Sequence, residues 1–431
     1  MKGRDRGEGP GRGGAGGEGR AARRPDPPPP GERGADPMAG TNRPAGPCRA
    51  PASGRTPLAD PASSGGPESS AGPAGARGLT YREAGVDLDA AEAVVDRIAG
   101  EAARARRPEV VGGLGAFAGF FRWGQGLLLA ATCDGVGSKL AVALQFDALE
   151  AIGRDLVAMN VNDLLVHGAE PLFFLDYVAV ERLDPERVAR VVRGMADACR
   201  EAGCALLGGE TAEVPGLLPP GGMELAGFAV GSVAADRLVD GRRVEPGDAV
   251  LGLPSSGPHS NGFSLIRRVV AAAGARWHDP LPGTSRTLAE AALVPTRLYT
   301  AVVRRLRAEF DVRAMAHITG GGLPGNLPRT LPPGCRAVLQ WGRWPVPPLF
   351  RWIQRRGPVA WDEMARVFNL GIGFAVVVPA GQARAAARAA SEVLGEEVPV
   401  IGRVTAGPRG VEFDPPLGFD ALRGAGPLPG G

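Results

Sequence analysis

The run CDGVGSKL, residues 133–140, places Asp134 and Lys139 on either side of two glycines, Gly135 and Gly137. Of 49 Lys and Arg residues in the chain, only Lys2 and Lys139 are lysines. Two readings fit a lysine in this setting: a phosphate-handling loop, or a tight turn with a lysine in it. A Walker-type loop is excluded, because Lys139 follows Ser138 and no G-K-[ST] exists. Two further carboxylates stand at comparable places. Asp163 continues the stripe formed by Leu149, Ile152, Leu156 and Met159, with Asn160 close to the same face. An ionised carboxylate on a core-facing stripe is costly unless it is paired or holds a metal. A cap or buried ion pair is the plain alternative. Glu210 follows Gly208 and Gly209 at the end of an apolar run, as Asp134 follows another. Together Asp134, Asp163 and Glu210 make an oxygen-ligand set suited to Mg²⁺.

Three glycine-containing loops could approach phosphate. VGGLGAFAG (111–119) supplies Gly112, Gly113 and Gly115 as a flap over nucleotide phosphates. Its GLGAFA formally matches a dinucleotide fingerprint, but Arg106, Arg107 and Pro108 stand where the preceding strand should be. SSGPHSNG (255–262) offers Ser256, Gly257, His259, Ser260 and Asn261 ahead of a helix whose N-terminus favours anions. His259 could donate to a phosphate or move a proton, while Ser260 or Asn261 could simply cap the helix. HITGGG (317–322) presents His317, Thr319, Gly320 and Gly321 as a second histidine with a backbone nest. His167 and His278 receive no role. No Ser/His/Asp motif supports nucleophilic catalysis, and no Cys/His pair has zinc-ligand spacing.

Elements must position these groups. DLDAAEAVVDRI (87–98) reads as a helix with Val94, Val95 and Ile98 as its apolar positions, and GLLLAATC (126–133) as a strand. A helix is expected over 147–167. Over 184–203 Asp184 caps a further helix, Pro185 takes its first position, Gly203 closes it and Cys199 faces the core. Strands follow at 204–210 and 225–233. After the polar stretch 236–248 come a strand at AVLGLP, a helix from Phe263, a strand at MAHI, a strand at 371–379, a helix at 382–394 and a strand at 399–404. The pattern is α/β or α+β, with one domain over 79–236 and another over 237–421.

The totals set limits. Residues 1–78 hold 33 Gly or Pro and no aromatic residue, too little apolar surface to offset ordering entropy. They read as a disordered tail, and 422–431 as a frayed end. The tail's acids and prolines argue against a transit peptide, it has no apolar secretory core, and Met38 offers an alternative start. The tail carries 12 Lys/Arg against 8 Asp/Glu, or +4, which leaves −1 of the total +3 for the rest. The folded part therefore lacks a nucleic-acid footprint. No apolar run reaches the ~18 residues of a membrane helix. The five cysteines form neither CxxC pairs nor a disulfide framework, which fits reduced thiols in the cytoplasm.

These blocks carry a resemblance. LTYREAGVDLDAAEAVVDRI, RRPEVVGGLGAFAG, CDGVGSKL, IGRDLVAMNVNDLLVHGAEPLFFLDY, GGETAEVPG, LAGFAVG, SSGPHSNGFSLIR, PTRLY, HITGGGLPGNLPR and FNLGIGF run in family order over about 79–405. They resemble the phosphoribosylformylglycinamidine cyclo-ligase (aminoimidazole ribonucleotide synthetase) family. The resemblance implies ATP-dependent ring closure of formylglycinamidine ribonucleotide to aminoimidazole ribonucleotide, ADP and phosphate. It also implies a two-domain fold whose N-terminal sheets pair into a barrel across a homodimer, with a small ribonucleotide as substrate. Within that chemistry Asp134, Lys139, Asp163 and His259 are the expected catalytic groups. Gly112, Gly113, Gly115, Asp134, Gly135, Gly137, Lys139 and Asn160 are expected at ATP, with Mg²⁺ on the carboxylate trio and K⁺ a candidate monovalent ion. The SSGPHSNG and HITGGG residues are expected at the ribonucleotide.

Some positions depart from the family pattern. Cys133 stands in place of threonine, Gly325 in place of glutamate, and Ala365 and Val367 in place of Tyr and Thr. They leave the reaction class intact and the turnover rate open. The rival readings are a selenide dikinase, a thiamine-phosphate kinase, an amidotransferase-type amidine synthase and a scaffold without activity. No cysteine lies in the 111–119 flap, as a selenide enzyme would need, and no key carboxylate or Lys139 is missing.

Overall fold

The computed structural model describes residues 78–418; the expected tail up to residue 77 and the expected frayed end lie outside the described residues. The chain enters through α1 (Leu88–Ala103), which Asp87 caps by accepting from the N–H groups of Asp89 and Ala90. Val94, Val95 and Ile98 of α1 are 54%, 38% and 48% exposed, so its apolar positions face outward.

Six strands build the first sheet: β1 (Val110–Val111), β2 (Gly119–Gly124), β3 (Leu127–Gly135), β4 (Glu170–Val180), β5 (Ala205–Glu213) and β6 (Met223–Ala234). Their order is β1-β2-β3-β6-β4-β5, and β4 and β5 alone run parallel. The helices of this half are α2 (Lys139–Gln145), α3 (Leu149–Val166) and α4 (Pro185–Ala202). The α4 signals act as read from the sequence: Asp184 accepts from Glu186 and Arg187 N–H, and Gly203 closes the helix at φ +74°. Gly153 and Gly194 let α3 and α4 touch backbone to backbone; a Cβ on either would overlap a carbonyl of the other helix. The GLGAFA run follows the two-residue β1 and leads into β2 rather than a helix, so the dinucleotide fingerprint fails here too.

Strand β6 alternates strictly, with Leu225, Ala229 and Val233 buried and Phe228 40% exposed. Helix α3 packs against β3 and β6. The other face of the sheet carries exposed apolar side chains: Leu127 (39%), Leu172 (43%), Leu207 (63%) and Trp123 (68%) join Phe228.

The second sheet comprises β7 (Ala249–Pro254), β8 (Ala314–His317), β9 (Cys335–Leu339), β10 (Ile372–Val378), β11 (Val400–Ala406) and β12 (Gly410–Phe413). Its order is β12-β9-β11-β7-β10-β8, with β12–β9 the one parallel pair. Every residue of β10 is buried, as its unbroken apolar run requires. Around it lie α5 (Phe263–Ala272), α6 (Leu288–Ala292), α7 (Thr300–Glu309), α8 (Gly322–Asn326), α9 (Pro348–Arg356), α10 (Trp361–Val367) and α11 (Ala383–Leu394). The stretch 236–248 links β6 to β7 through turns.

Candidate active site

The C-terminal end of β3 delivers Asp134 toward α3. Asp134 Oδ1 accepts from Gly135 N–H at 2.8 Å. Burial, then the charge of Asp163, pushes the Asp134 carboxyl up to about 6. Asp163, near the end of α3, accepts from His317 Nδ1 at 2.8 Å, and the His317 ring is fully buried at the end of β8. Asn162 Nδ2 stands 3.5 Å from the other ring nitrogen. The Asp163 carboxylate thus fixes the orientation and tautomer of His317.

His259 lies 6.3 Å from His317 between ring centroids. Its backbone is left-handed at φ +56°, a conformation uncommon outside glycine, and its side chain is fully buried. Ser256 N–H donates to His259 Nε2 at 3.3 Å, which leaves the proton of the neutral ring on Nδ1. That buried Nδ1 has no partner among the described residues. Burial first, then His317, Lys139 and Arg297, holds the ring well below the usual histidine range. His259 is therefore a neutral hydrogen-bond donor at pH 7. Gly373 makes room for it, since a Cβ there would overlap Tyr299 Oη and His259 Cε1. Asn261 Oδ1 accepts from Gly320 N–H at 2.9 Å, so the 255–262 and 317–322 loops meet. The buried Asn261 Nδ2 is unpartnered among the described residues.

Three expectations need correction. Lys139 does not face a phosphate site: its side chain is fully buried, 2.7 Å from Asp155 Oδ2, and donates to Val294 O at 2.9 Å. Asp155 Oδ1 in turn accepts from Thr296 N–H at 2.7 Å and Thr296 Oγ1 at 2.6 Å. Lys139 thus ties α2 and α3 to the 294–296 loop, and burial depresses its ammonium. Asn160 is not open to a nucleotide: fully buried, it donates to Leu156 O at 2.9 Å and Asp134 O at 3.2 Å.

Glu210 does not join the other carboxylates within this chain. Gly135, Ala226, Tyr177 and Glu210 form one row across β3, β6, β4 and β5. Three strand steps of ~4.8 Å put Glu210 about 14 Å from that end of β3, too far for a shared ion with ligands at ~2.1 Å. Asp134 also belongs to the opposite face of the sheet, since neighbouring residues alternate. Among the described residues no group of three His, Cys, Asp or Glu is placed to hold a metal ion.

The other expected residues have definite places. Gly112, Gly113 and Gly115 are exposed, with open space where a Cβ would stand and φ of +81° and +97° at Gly112 and Gly115. Gly137 makes its turn at φ +56°. Ser256 Oγ donates to Pro295 O at 2.6 Å, and Ser260 Oγ lies 3.5 Å from Thr296 Oγ1. Gly257 O accepts from Asn369 Nδ2 at 2.9 Å. Thr319 Oγ1 is 3.5 Å from Asn326 Oδ1, and Gly321 adopts φ +96°. Sequence reading missed Asp155, Asn162 and Tyr299. Asp155 sits on the same periodic stripe that revealed Asp163, three residues after Ile152; Asn162 and Tyr299 carried no pattern.

The family model "AIR synthase related protein, N-terminal domain" matches residues 115–233, and "AIR synthase related protein, C-terminal domain" matches 245–414. The phosphoribosylformylglycinamidine cyclo-ligase of Anaeromyxobacter dehalogenans (strain 2CP-1) is 52% identical over 336 residues, 76% of this chain and 96% of the relative. That of Symbiobacterium thermophilum is 52% identical over 347 residues, 77% of this chain and 98% of the relative. Among solved structures, thiamine monophosphate kinase from Aquifex aeolicus has a TM-score of 0.51 at 17% identity, covering 77% of this chain and 99% of its own. The hydrogenase maturation protein HypE in complex with ATP has a TM-score of 0.51 at 22% identity, covering 73% and 86%. The structural likenesses establish the fold.

Proposed function

The chain belongs to the phosphoribosylformylglycinamidine cyclo-ligase family, and we propose on that premise that it closes the imidazole ring of aminoimidazole ribonucleotide. The reaction consumes formylglycinamidine ribonucleotide and ATP and yields aminoimidazole ribonucleotide, ADP and phosphate in purine biosynthesis. ATP gives its γ-phosphoryl group to the formyl oxygen. The amidine nitrogen then attacks that carbon, and the C–O bond breaks with phosphate as leaving group, carrying the formyl oxygen away. Such a transfer asks the protein chiefly for alignment and charge neutralisation.

The single observation that carries this reading is the meeting of groups from both halves at one seam. His317 bonds Asp163 at 2.8 Å, His259 stands 6.3 Å from His317, and Asn261 bonds Gly320. The unpartnered Nδ1 of His259 and Nδ2 of Asn261 are donors suited to a phosphate or formyl oxygen. Asp163 orients His317. Asp134, with its carboxyl raised by burial and then by the charge of Asp163, fits a cation-binding role. Mg²⁺ held there would neutralise phosphate charge during transfer. The exposed glycines at 112–115 fit a flap over the nucleotide. The monovalent ion, K⁺ included, has no assigned ligands.

A homodimer accompanies this reading, supported by the apolar open face of the first sheet around Phe228, Leu207 and Trp123. A cytoplasmic location fits the enzyme class; among the described residues no helix is long and apolar enough to cross a membrane. The test is purified protein with ATP, Mg²⁺ and formylglycinamidine ribonucleotide. Aminoimidazole product is expected. No product, together with phosphorylation of thiamine phosphate, would refute the reading.

A further inference from the structure

Arg329 lies in the turn that follows α8 and reaches two loops at once. Its Nη1 donates to Asn326 Oδ1 at 3.0 Å. Asn326 is 1% exposed, and its Nδ2 points at the carbonyls of Gly322 (2.9 Å), Gly320 (3.1 Å) and Thr319 (3.4 Å). Through Asn326, then, the guanidinium is joined to the 319–322 loop. Its Nε donates across 214 residues of sequence to Gly115 O at 3.2 Å. Its Cζ lies 3.7 Å from the centroid of the Phe117 ring. Phe117 is 6% exposed, and Phe117 and Phe120 both pack against His167. The root of the 111–119 segment is therefore anchored, while Gly112, Gly113 and Gly115 have open space around them.

We infer that Arg329 is a positioning residue: it clamps the glycine-rich 111–119 segment, the candidate nucleotide flap, to the Thr319–Gly322 loop, so that the flap is pre-set when a nucleoside triphosphate arrives. The inference rests on the ATP reading above and adds a residue that reading does not use. Three directed contacts leave one planar group, and only a guanidinium can stack and donate in two directions together.

The test uses the full chain with Arg329→Leu, Arg329→Lys and Phe117→Leu. Amide exchange over 112–117 is measured without nucleotide, and KM for ATP, KM for the ribonucleotide and kcat are measured separately. The clamp predicts exchange at least about tenfold faster in Arg329→Leu, and a rise of about tenfold in KM for ATP. Changes in kcat and ribonucleotide KM stay within about threefold. Phe117→Leu should share the defect, and adding it to Arg329→Leu should worsen it little, since both remove one contact set. Arg329→Lys should recover part of the ATP KM. Unchanged exchange in Arg329→Leu overturns the clamp. Faster exchange with unchanged ATP KM overturns its positioning role. If Arg329→Leu does not fold, Arg329→Lys and Phe117→Leu carry the same two readouts. The exchange arm needs no nucleotide, so a failed clamp and a failed ATP reading are told apart.

Discussion

Asp134→Asn should make the protein more stable while removing its response to Mg²⁺. The Asp134 carboxyl is raised from 3.8 to about 6 by burial and by Asp163. The folded state therefore holds this proton more tightly than the unfolded chain. Stability from the site is present below pH ~3.8 and is lost as pH rises through about 6. A difference of about two pH units corresponds to about 3 kcal/mol at neutral pH. Asn keeps the shape and the acceptor for Gly135 N–H, but its own N–H groups need partners, so the net gain is about 1–3 kcal/mol. With an unfolding entropy of roughly 0.7 kcal/mol/K for a fold of this size, Tm should rise by about 1–4 °C at pH 7.5. The assay is thermal melting of both proteins from pH 5 to 8, with and without millimolar Mg²⁺ and without nucleotide. The advantage of Asp134→Asn should shrink toward pH 5, and Mg²⁺ should raise Tm of the wild type alone. A variant less stable than wild type at pH 7.5, or an advantage flat across pH, would show that burial does not raise the Asp134 carboxyl. An equal Mg²⁺ response in both proteins would sink the metal role.

Other outcomes follow from single contacts. Lys139→Met strands the buried Asp155 carboxylate and should cost about 3–5 kcal/mol, whereas Lys139→Met with Asp155→Asn, which keeps the acceptor for Thr296, should recover part of it; denaturant midpoints check this. Lys139→Arg should lower stability as well, because a guanidinium overfills a fully enclosed site; a stable variant with changed ATP KM alone would restore the phosphate role. His259→Gln should lower kcat/KM about 10–100-fold with the pH profile unchanged in shape, since burial holds the native ring neutral at neutral pH; loss of an acidic limb in the profile would contradict this. Gly373→Ala should overlap Tyr299 Oη and the His259 ring, costing about 1–3 kcal/mol and most of the activity; full activity would show that the two rings can shift.

Local signals carried much of the fold. The capped and glycine-closed α4 and the largely apolar run of β6 needed only local chemistry, and both formed where their residues indicated. Strand β10 was legible as an unbroken apolar run. The site was less legible, because its decisive facts are long-range. Lys139 looked like a phosphate ligand from its glycine neighbours, yet Asp155 and Val294, distant in sequence, enclose it. Asn160, read near the core-facing stripe and expected at ATP, is closed off by β3, and its amide bonds Asp134 O. Glu210 shared the strand-end setting of Asp134, but strand order separates them, and order is not written in either strand. Conversely, α1 shows a helical sequence whose apolar side chains find no cover among the described residues.

Departure of the formyl oxygen after its activation by ATP, at the seam where His259, His317 and Asp163 meet, is the step on which the proposed function turns. The most direct measurement is a single turnover with formylglycinamidine ribonucleotide carrying ¹⁸O in the formyl group. One ADP per aminoimidazole ribonucleotide is expected, with the label in the released phosphate. Label released into water beside unlabelled phosphate would contradict it.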